Sequence, residues 1–173
     1  LWANTFKGST YRYDFRTGRL EDLAAVVTRN SVSRILQTAG GTLWVAAQEG
    51  VYRLDELPGG GFRKRLLHLP GIPEDVSRRY RYFLDLCEDG CGDIWIATMD
   101  GLIRYDVRSG RTVTYTAAHG LASNSVYSLL ADAKNGLVWA GSAESGLSKI
   151  RYTDSGSGIE VEVVRQDSAP FAL

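Results

Sequence analysis

The sequence has no long hydrophobic run and no excess of charge of either sign, and both absences narrow its possible functions. No apolar run approaches the roughly 18 residues of a membrane-spanning helix, and runs such as "LVWA" at 137–140 fit single strands. The 20 basic and 20 acidic side chains give a formal net charge of +0. This balance argues against nucleic acid as a partner, because proteins that bind nucleic acid usually carry a basic excess.

Cysteine and methionine are scarce as well. Cys87 and Cys91, in "CEDGC", have no second Cys or His pair that would complete a tetrahedral zinc site, so the sequence predicts no metal and no cofactor. They are two free thiols beside a hairpin turn, or a short disulfide that needs an oxidising compartment. The only methionine is Met99, and the chain starts at Leu1 with no initiator and no signal peptide. We therefore expect a processed chain or a piece of a longer one, and the phase of the repeat favours a piece.

What the sequence does have is a repeat built on tryptophan. The tryptophans are Trp2, Trp44, Trp95 and Trp139, at spacings of 42, 51 and 44 residues. A glycine follows the last three of them after six or seven residues, namely Gly50, Gly101 and Gly146. Self-similarity at such a period is the signature of a repeat architecture, so we interpret these seven residues as structural rather than ligand-binding.

An apolar run and a turn precede three of the tryptophans, in "SVSRILQTAGGTLW", "RYFLDLCEDGCGDIW" and "SVYSLLADAKNGLVW". Short runs rich in Val, Ile, Leu and Tyr, bounded by Gly, Asn and Asp, predict strands joined by tight turns. In the last unit the four strands are expected near 125–131, 137–142, 147–152 and 159–165. No segment has a helical period over a helical length, although "EDLAAVV" at 21–27 fits either a turn of helix or a strand.

Four strands in each unit and a period in the forties predict the blades of a β-propeller. The predicted fold class is all-β, a propeller arc of about three and a half four-stranded antiparallel blades. The blades are placed at 1–30 (without its first strand), 31–67, 80–117 and 125–165. We expect a fragment of a larger ring, because closed propellers typically have four to eight blades. The alternative is a four-bladed ring closed by the tail, which would need a strand from the short "PFAL".

The repeat resembles a known family. "HGLASNSVYSLLADAKNGLVWAGSAESGL" at 119–147 is similar to the two-component regulator propeller repeat, and "LCEDGCGDIWIATMDGLIRYD" at 86–106 is similar to its second half, with Ala97 in place of the usual glycine. "GGTLWVAAQEGVYRLD" at 40–55 matches more loosely, with Ala39 taken as the replacement for the turn aspartate. The resemblance covers nearly the whole chain.

The resemblance implies a periplasmic sensor segment of a hybrid two-component receptor of Bacteroidetes-like bacteria, cut from a propeller of about seven blades. It implies an oligosaccharide as the ligand, other blades of the same parent chain as partners, and a homodimer of the parent receptor. The histidine kinase and the membrane helix would lie elsewhere in the parent chain, so this segment would have no catalysis and no membrane contact of its own.

The most distinctive loop is "LHLPGIPEDVSRRYRYF" at 67–83. Arg78, Arg79, Tyr80 and Arg81 combine guanidinium donors with aromatic faces, which bind sugars, carboxylates and sulfates. The plainer alternative, which we favour, is a solvated loop that leads into a strand with Tyr82 in the core.

Two other functions compete with the sensor. One is a propeller scaffold for protein–protein contacts. The other is a propeller lyase or hydrolase that would use a loop histidine, His68 or His119, as a base, but no partner residues for such a base can be recognised in the sequence.

Overall fold

The computed structural model describes residues 1–5, 9–72, 82–143, 145–153 and 158–164. The described ranges contain fifteen β-strands and one short α-helix, which confirms the predicted all-β class. Consecutive strands are hydrogen-bonded neighbours in four sheets, and strands linked by hairpins run antiparallel. The chain forms two compact units, Leu1–Leu86 and Cys87–Leu173, with the boundary inside one strand.

The first unit contains two sheets. Sheet 1 is three-stranded, with β1 (Trp2–Asn4), β2 (Thr10–Asp14) and β3 (Arg19–Asp22). Sheet 2 is four-stranded, with β4 (Val32–Gln37), β5 (Leu43–Ala47), β6 (Gly50–Glu56) and β7 (Phe62–Leu66). Their facing sides form one apolar core that includes Val27, Val45 and Leu54, with Trp2 and Phe62 packed against it.

The segment at 21–27 is part strand and part helix. β3 ends at Asp22, and helix α1 (Ala24–Val27) follows. The Asp22 carboxylate accepts a hydrogen bond from the backbone N–H of Ala24 at 2.9 Å, which satisfies one of the free amides at the helix start. Val27 is buried in the core, so packing rather than helical propensity holds this single turn.

The second unit contains the other two sheets. Sheet 3 has β8 (Phe83–Glu88), β9 (Ile94–Thr98), β10 (Gly101–Tyr105) and β11 (Thr112–Tyr115). Sheet 4 has β12 (Val126–Asp132), β13 (Leu137–Ser142), β14 (Leu147–Tyr152) and β15 (Ile159–Val164). Short 3₁₀ turns lie at Ala117–His119 and Ala133–Asn135.

Burial along each strand follows its place in the sheet. Every residue of β5 and of β9 is buried, as expected for strands with both faces covered. The last strand of sheet 4 alternates instead, with Glu160 and Glu162 exposed between partly buried valines. No helix in the described part of the chain is long and apolar enough to cross a membrane.

Candidate functional site

Each tryptophan of the repeat is paired with a cationic residue at the opposite position of the next antiparallel strand. The pairs are Trp2 with Arg12, Trp44 with Arg53, Trp95 with Arg104, and Trp139 with Lys149. The cationic groups lie 5.4 to 5.8 Å from the ring centroids, within cation–π range. Sequence reasoning missed this row, although a cation nine or ten residues after each tryptophan is visible in the sequence.

In both units the cation also contacts the neighbouring sheet at one repeated position. That position comes three residues after the cation of the neighbouring sheet. For Arg12 it is Glu56, which follows Arg53, and for Arg104 it is Tyr152, which follows Lys149. Glu56 makes an ion pair at 3.1 Å, whereas the Tyr152 ring centroid lies 5.3 Å from the Arg104 guanidinium carbon. The same place in the repeat therefore has a different environment in each unit.

In the second unit this environment is a buried ionic cluster around Arg104. Its Nε donates to Asp93 Oδ2 at 3.0 Å, and one terminal nitrogen lies 2.9 Å from the same oxygen. The other terminal nitrogen donates to the backbone carbonyl of Thr153 at 3.1 Å. The side chains of Arg104 and Asp93 are 6% and 8% exposed. Since a buried charge is costly unless paired, Arg104 and its carboxylates depend on one another, and the bond from Arg104 to Thr153 links sheet 3 to the end of β14 in sheet 4.

Asp89 organises the turn beside the cluster. Its Oδ1 accepts the backbone N–H groups of Cys91 at 2.9 Å and of Asp93 at 3.0 Å. Its Oδ2 accepts the Trp95 indole N–H at 2.8 Å and lies 3.5 Å from an Arg104 nitrogen. The carboxylate thus binds the turn, the tryptophan and the arginine at once.

Sheet 2 has the same turn with a different residue in it. The backbone N–H of Thr38 donates to the carbonyl of Thr42 at 2.9 Å, as that of Asp89 donates to the carbonyl of Asp93 at 3.0 Å in sheet 3. The structure therefore aligns Thr38 with the turn aspartate, not Ala39 as the sequence comparison had it.

Burial and repulsion between carboxylates affect the protonation of Asp93. Burial first, and then repulsion by Asp89, raise the pKa of Asp93 above its ordinary value, and the attraction of Arg104 does not offset them. Asp93 Oδ1 is also buried without a hydrogen-bond partner among the described residues. Both observations indicate that ionised Asp93 is held at a cost to stability.

We expect Asp93 to make the stability of the second unit depend on pH in a definite direction. A folded pKa above the unfolded value of about 3.9 means that its stabilising contribution is full below that pH and is lost as the pH rises through the folded pKa. The stability of the Asp93→Asn variant relative to the native protein should therefore rise as the pH is raised from about 4 towards neutral. Urea unfolding of both proteins across this range measures the difference, and a flat or opposite trend would contradict the assignment.

In the first unit the same position opens into a cleft, which we call the Arg12 cleft. It has a volume of about 470 Å³ and lies between the facing sides of sheets 1 and 2. Its polar lining residues are Arg12, Asp14, Thr17, Arg19, Glu21, Gln37 and Glu56. This volume falls within the range of small-molecule sites.

Arg12 spans the Arg12 cleft between two carboxylates. Its Nε donates to Glu21 Oε2 at 2.9 Å, one terminal nitrogen lies 2.7 Å from the same oxygen, and the other donates to Glu56 Oε1 at 3.1 Å. Hydrogen bonding to Glu21 raises the pKa of Arg12 above its ordinary value and outweighs burial, which lowers it. The Arg12 side chain remains 32% exposed, so solvent reaches it, in contrast to Arg104.

A third polar cluster lies at the turn between β5 and β6. The hydroxyls of Thr28 and Tyr52 both donate to Glu49 Oε1. Burial raises the pKa of Glu49, but these hydrogen bonds outweigh it and the net shift is downward. Burial and the Glu49 charge raise the pKa of Tyr52 to about 12. The cluster ties the link between sheets 1 and 2 to sheet 2.

The predicted ligand-binding residues Arg78, Arg79, Tyr80 and Arg81 lie outside the residues that the structure describes. Tyr82, which follows them, is 2% exposed and contacts Phe83 edge-on. That burial matches the alternative in which the loop leads into a core strand. A ligand role for the four residues stays a prediction.

The repeat glycines all have backbone angles that favour glycine. Gly50 and Gly101 are the first residues of β6 and β10, and Gly146 directly precedes β14. Their φ angles are 155°, 132° and 92°. Each residue therefore adopts a conformation in which a side chain would be strained.

The histidines and cysteines do not come together in the described residues. His68 is exposed, and the exposed His119 ring accepts a hydrogen bond from the backbone N–H of Thr116 at 3.1 Å. Cys87 and Cys91 are not joined by a disulfide bond in the structure. No group of three or more His, Cys, Asp or Glu side chains suited to a metal occurs among the described residues.

Solved structures similar to this chain share its fold at low sequence identity. The extracellular domain of a protein described as a hybrid two-component system from B. thetaiotaomicron superposes with a TM-score of 0.68 and 18% identity, over 98% of this chain and 22% of that one. A streptogramin B lyase superposes with a TM-score of 0.65 and 17% identity, over 94% of this chain and 50% of that one.

A third similar structure carries the fold name. It is the β-propeller domain of Swd1 from Myceliophteria thermophila, with a TM-score of 0.64 and 17% identity, over 88% of this chain and 47% of that one. The chain therefore has the β-propeller fold and spans between about a fifth and a half of the structures it resembles. No protein-family model matches the chain, and no curated protein sequence matches it.

Proposed function

We propose that this chain is a non-catalytic, ligand-sensing segment in the propeller ectodomain of a two-component sensor. The observation that carries the proposal is the likeness to extracellular domains of two-component systems from B. thetaiotaomicron, which extends over 96 to 98% of this chain. The sequence at 119–147, which resembles the two-component regulator propeller repeat, supports the same family. The parent protein would place this segment in the periplasm.

An oligosaccharide is the ligand that this proposal assigns. The Arg12 cleft supports it, since its space of about 470 Å³ is lined by side chains that donate hydrogen bonds and by others that accept them. Ligand binding would be relayed to a histidine kinase in another part of the parent chain. Other blades of that chain, and a second copy of the parent receptor, are the proposed protein partners.

The 173-residue chain is expected to bind at least one class of oligosaccharide. A ligand at 100 times its Kd adds about 2.7 kcal/mol to the stability of the folded state, which corresponds to a rise in Tm of about 5 to 10 °C. A thermal-shift screen with oligosaccharides from plant and host glycans measures this rise, with the matching monosaccharides at equal mass as the control. If no oligosaccharide raises the Tm, glycan sensing by this segment is wrong.

A propeller lyase is the second candidate function. Streptogramin B and virginiamycin B lyases superpose on the chain with TM-scores of 0.63 to 0.65, and His119 presents an exposed imidazole. Liquid chromatography with tandem mass spectrometry of a streptogramin B antibiotic incubated with the protein separates the two functions, because a ring opened by elimination keeps its mass but changes its retention time and its fragments. A sensor segment leaves the antibiotic intact, whereas a product of lyase activity would overturn the non-catalytic assignment.

A further inference from the structure

We infer that strand β11 is an interface at which this chain pairs with a second copy of itself, edge to edge and antiparallel, about a twofold axis at Val113. The inference rests on the proposed function for its partner, a second copy of the parent receptor, and it adds the surface and the register. It requires no ligand. β11 is the outer strand of sheet 3, which has all four of its strands in this chain.

β11 differs in charge from the last strands of the other three sheets. Those strands, β3, β7 and β15, carry two or three charged side chains each. β11 reads Thr-Val-Thr-Tyr and carries none. Charged side chains on an outer strand are one of the means by which proteins prevent edge-to-edge pairing. Among these four strands, β11 alone lacks that protection.

The backbone of β11 presents outward hydrogen-bonding groups at two alternate residues. The N–H of Asp106 donates to the carbonyl of Arg111 at 2.9 Å, at the start of the pairing between β10 and β11. Bonded and non-bonded pairs alternate along an antiparallel ladder, so Val113 is the next residue that bonds to β10. The N–H and C=O groups of Thr112 and Thr114 therefore point away from β10, to the side where no described strand lies.

The sequence of β11 is complementary to itself. When Val113 lies opposite Val113 of a second copy, Thr112 of each copy lies opposite Thr114 of the other. These threonine pairs can each exchange two backbone hydrogen bonds through the outward groups. Cross-strand threonine pairs are also favourable through their side chains. A twofold contact of this kind closes on itself and gives a dimer.

The outer strands β7 and β15 are unsuited to pairing with their own copies. β7 carries Arg63, Lys64 and Arg65 in succession. β15 carries Glu160 and Glu162. Like charges placed opposite each other across two strands are destabilising, so neither strand would form the twofold contact that β11 allows.

β11 is held in its extended conformation before any partner arrives. Tyr115, at its end, is 2% exposed and stacks on Trp95 with the ring centroids 5.7 Å apart. Asp106 fixes the turn before it, because its Oδ1 accepts the backbone N–H groups of Arg108 at 2.9 Å and of Ser109 at 3.0 Å. Pairing therefore requires little ordering of the strand, which reduces its entropic cost.

The length of β11 predicts a weak dimer. Stable specific interfaces bury about 1,200–2,000 Å² in total, which exceeds the area that one pair of four-residue strands covers. The isolated chain should therefore associate only at high concentration. Parent receptors confined to one membrane would meet at a higher effective concentration, where a weak contact is sufficient.

The test is sedimentation equilibrium of the full 173-residue chain over a wide range of protein concentration. Thr114→Pro removes an outward N–H and leaves the bonds to β10 in place, at a kind of position where outer strands tolerate proline. Leu66→Pro is the matched control on β7. The N–H of Leu67 donates to the carbonyl of Val51 at 2.8 Å, so Leu66 points its own N–H outward in the same way.

A pair of charge variants tests the register. One variant carries Thr112→Lys and Thr114→Lys, and the other carries Thr112→Glu and Thr114→Glu. Neither should pair with its own copy, because like charges would lie opposite each other. When the two are mixed in equal amounts they should form a heterodimer, since every lysine then lies opposite a glutamate.

We expect the native chain and Leu66→Pro to dimerise with the same Kd. Thr114→Pro should raise the Kd about tenfold or more, because each copy loses one backbone hydrogen bond. Association that Thr114→Pro leaves unchanged, or that Leu66→Pro abolishes, would overturn the assignment to β11. Charge variants that do not pair with each other would overturn the register. A native chain that stays monomeric at every concentration would overturn the interface and leave glycan sensing, which the thermal-shift screen tests, standing.

Discussion

Replacing Asp89 with alanine is expected to lower the free energy of unfolding of the second unit by about 3 kcal/mol. The Asp89 side chain is fully buried, and its two oxygens accept hydrogen bonds from two backbone amides and from the Trp95 indole. Alanine would leave these three donors, two of them buried and one partly buried, without their acceptor. It would also remove one of the two carboxylates that balance the buried charge of Arg104.

The turn in sheet 2 supplies a matched control for this variant. Thr38 occupies the position of Asp89, and its hydroxyl makes one hydrogen bond, to the carbonyl of Thr42 at 3.1 Å. Thr38→Ala should therefore cost about 1 kcal/mol, the contribution of a single neutral hydrogen bond. Urea unfolding followed by tryptophan fluorescence compares the two. Equal losses would show that the turn alone matters and that the buried cluster contributes nothing.

The Asp89→Asn variant separates charge from hydrogen bonding. An amide offers one accepting oxygen and one donating nitrogen, so it would set a donor against either the two backbone amides or the Trp95 indole. We expect a loss close to that of alanine. A loss much smaller than that of alanine would mean that the contacts of one Asp89 oxygen are dispensable.

The sheets could be predicted from the sequence because their signals are local. The apolar runs around Trp44, Trp95 and Trp139, with turn residues between them, set strand positions that the structure gives within one or two residues in the last unit. Each hairpin joins residues close in sequence, so its turn chemistry and its strand pattern appear in one short window.

The contacts between sheets could not be predicted in the same way. Arg12 and Glu56 are 44 residues apart, and Arg104 contacts the carbonyl of Thr153 over 49 residues. Their meeting depends on how one sheet packs on the next, which no local pattern specifies. The candidate ligand residues Arg78–Arg81 came from a local pattern in one loop and lie outside the described residues, and no local pattern pointed to the polar cleft between sheets 1 and 2.

The helix α1 shows a local signal that stayed ambiguous for a physical reason. Ala24–Val27 combines residues that favour helix with valines that favour strand. A four-residue helix has almost no stability of its own. Its conformation is decided by the burial of Val27 against sheet 2, which is a tertiary contact.

Replacing Gly101 with alanine is expected to destabilise the second unit by about 3 kcal/mol. A Cβ at this position would lie 2.5 Å from the backbone carbonyl oxygen of Tyr115, on the neighbouring strand β11. The residue also has a φ of 132°, in a region that L-residues rarely adopt and that costs about 1–3 kcal/mol by itself. Because the obstacle is backbone rather than a flexible side chain, β10 and β11 would have to separate, at a further cost of about 1–3 kcal/mol.

Gly50 holds the same place in sheet 2 and separates these two costs. A Cβ there would meet Leu66 Cδ1 at 2.6 Å, but that atom ends a side chain that is 56% exposed and can rotate away. Gly50→Ala should therefore cost only the backbone term of about 1–3 kcal/mol. Gly136→Ala, which has the left-handed α angles of φ 64° and ψ 39° and open space around the added carbon, should cost the least, roughly 1–2 kcal/mol. If Gly101→Ala proves no worse than these two variants, the contact between β10 and β11 tolerates a side chain, and backbone angle alone explains the glycines of the repeat.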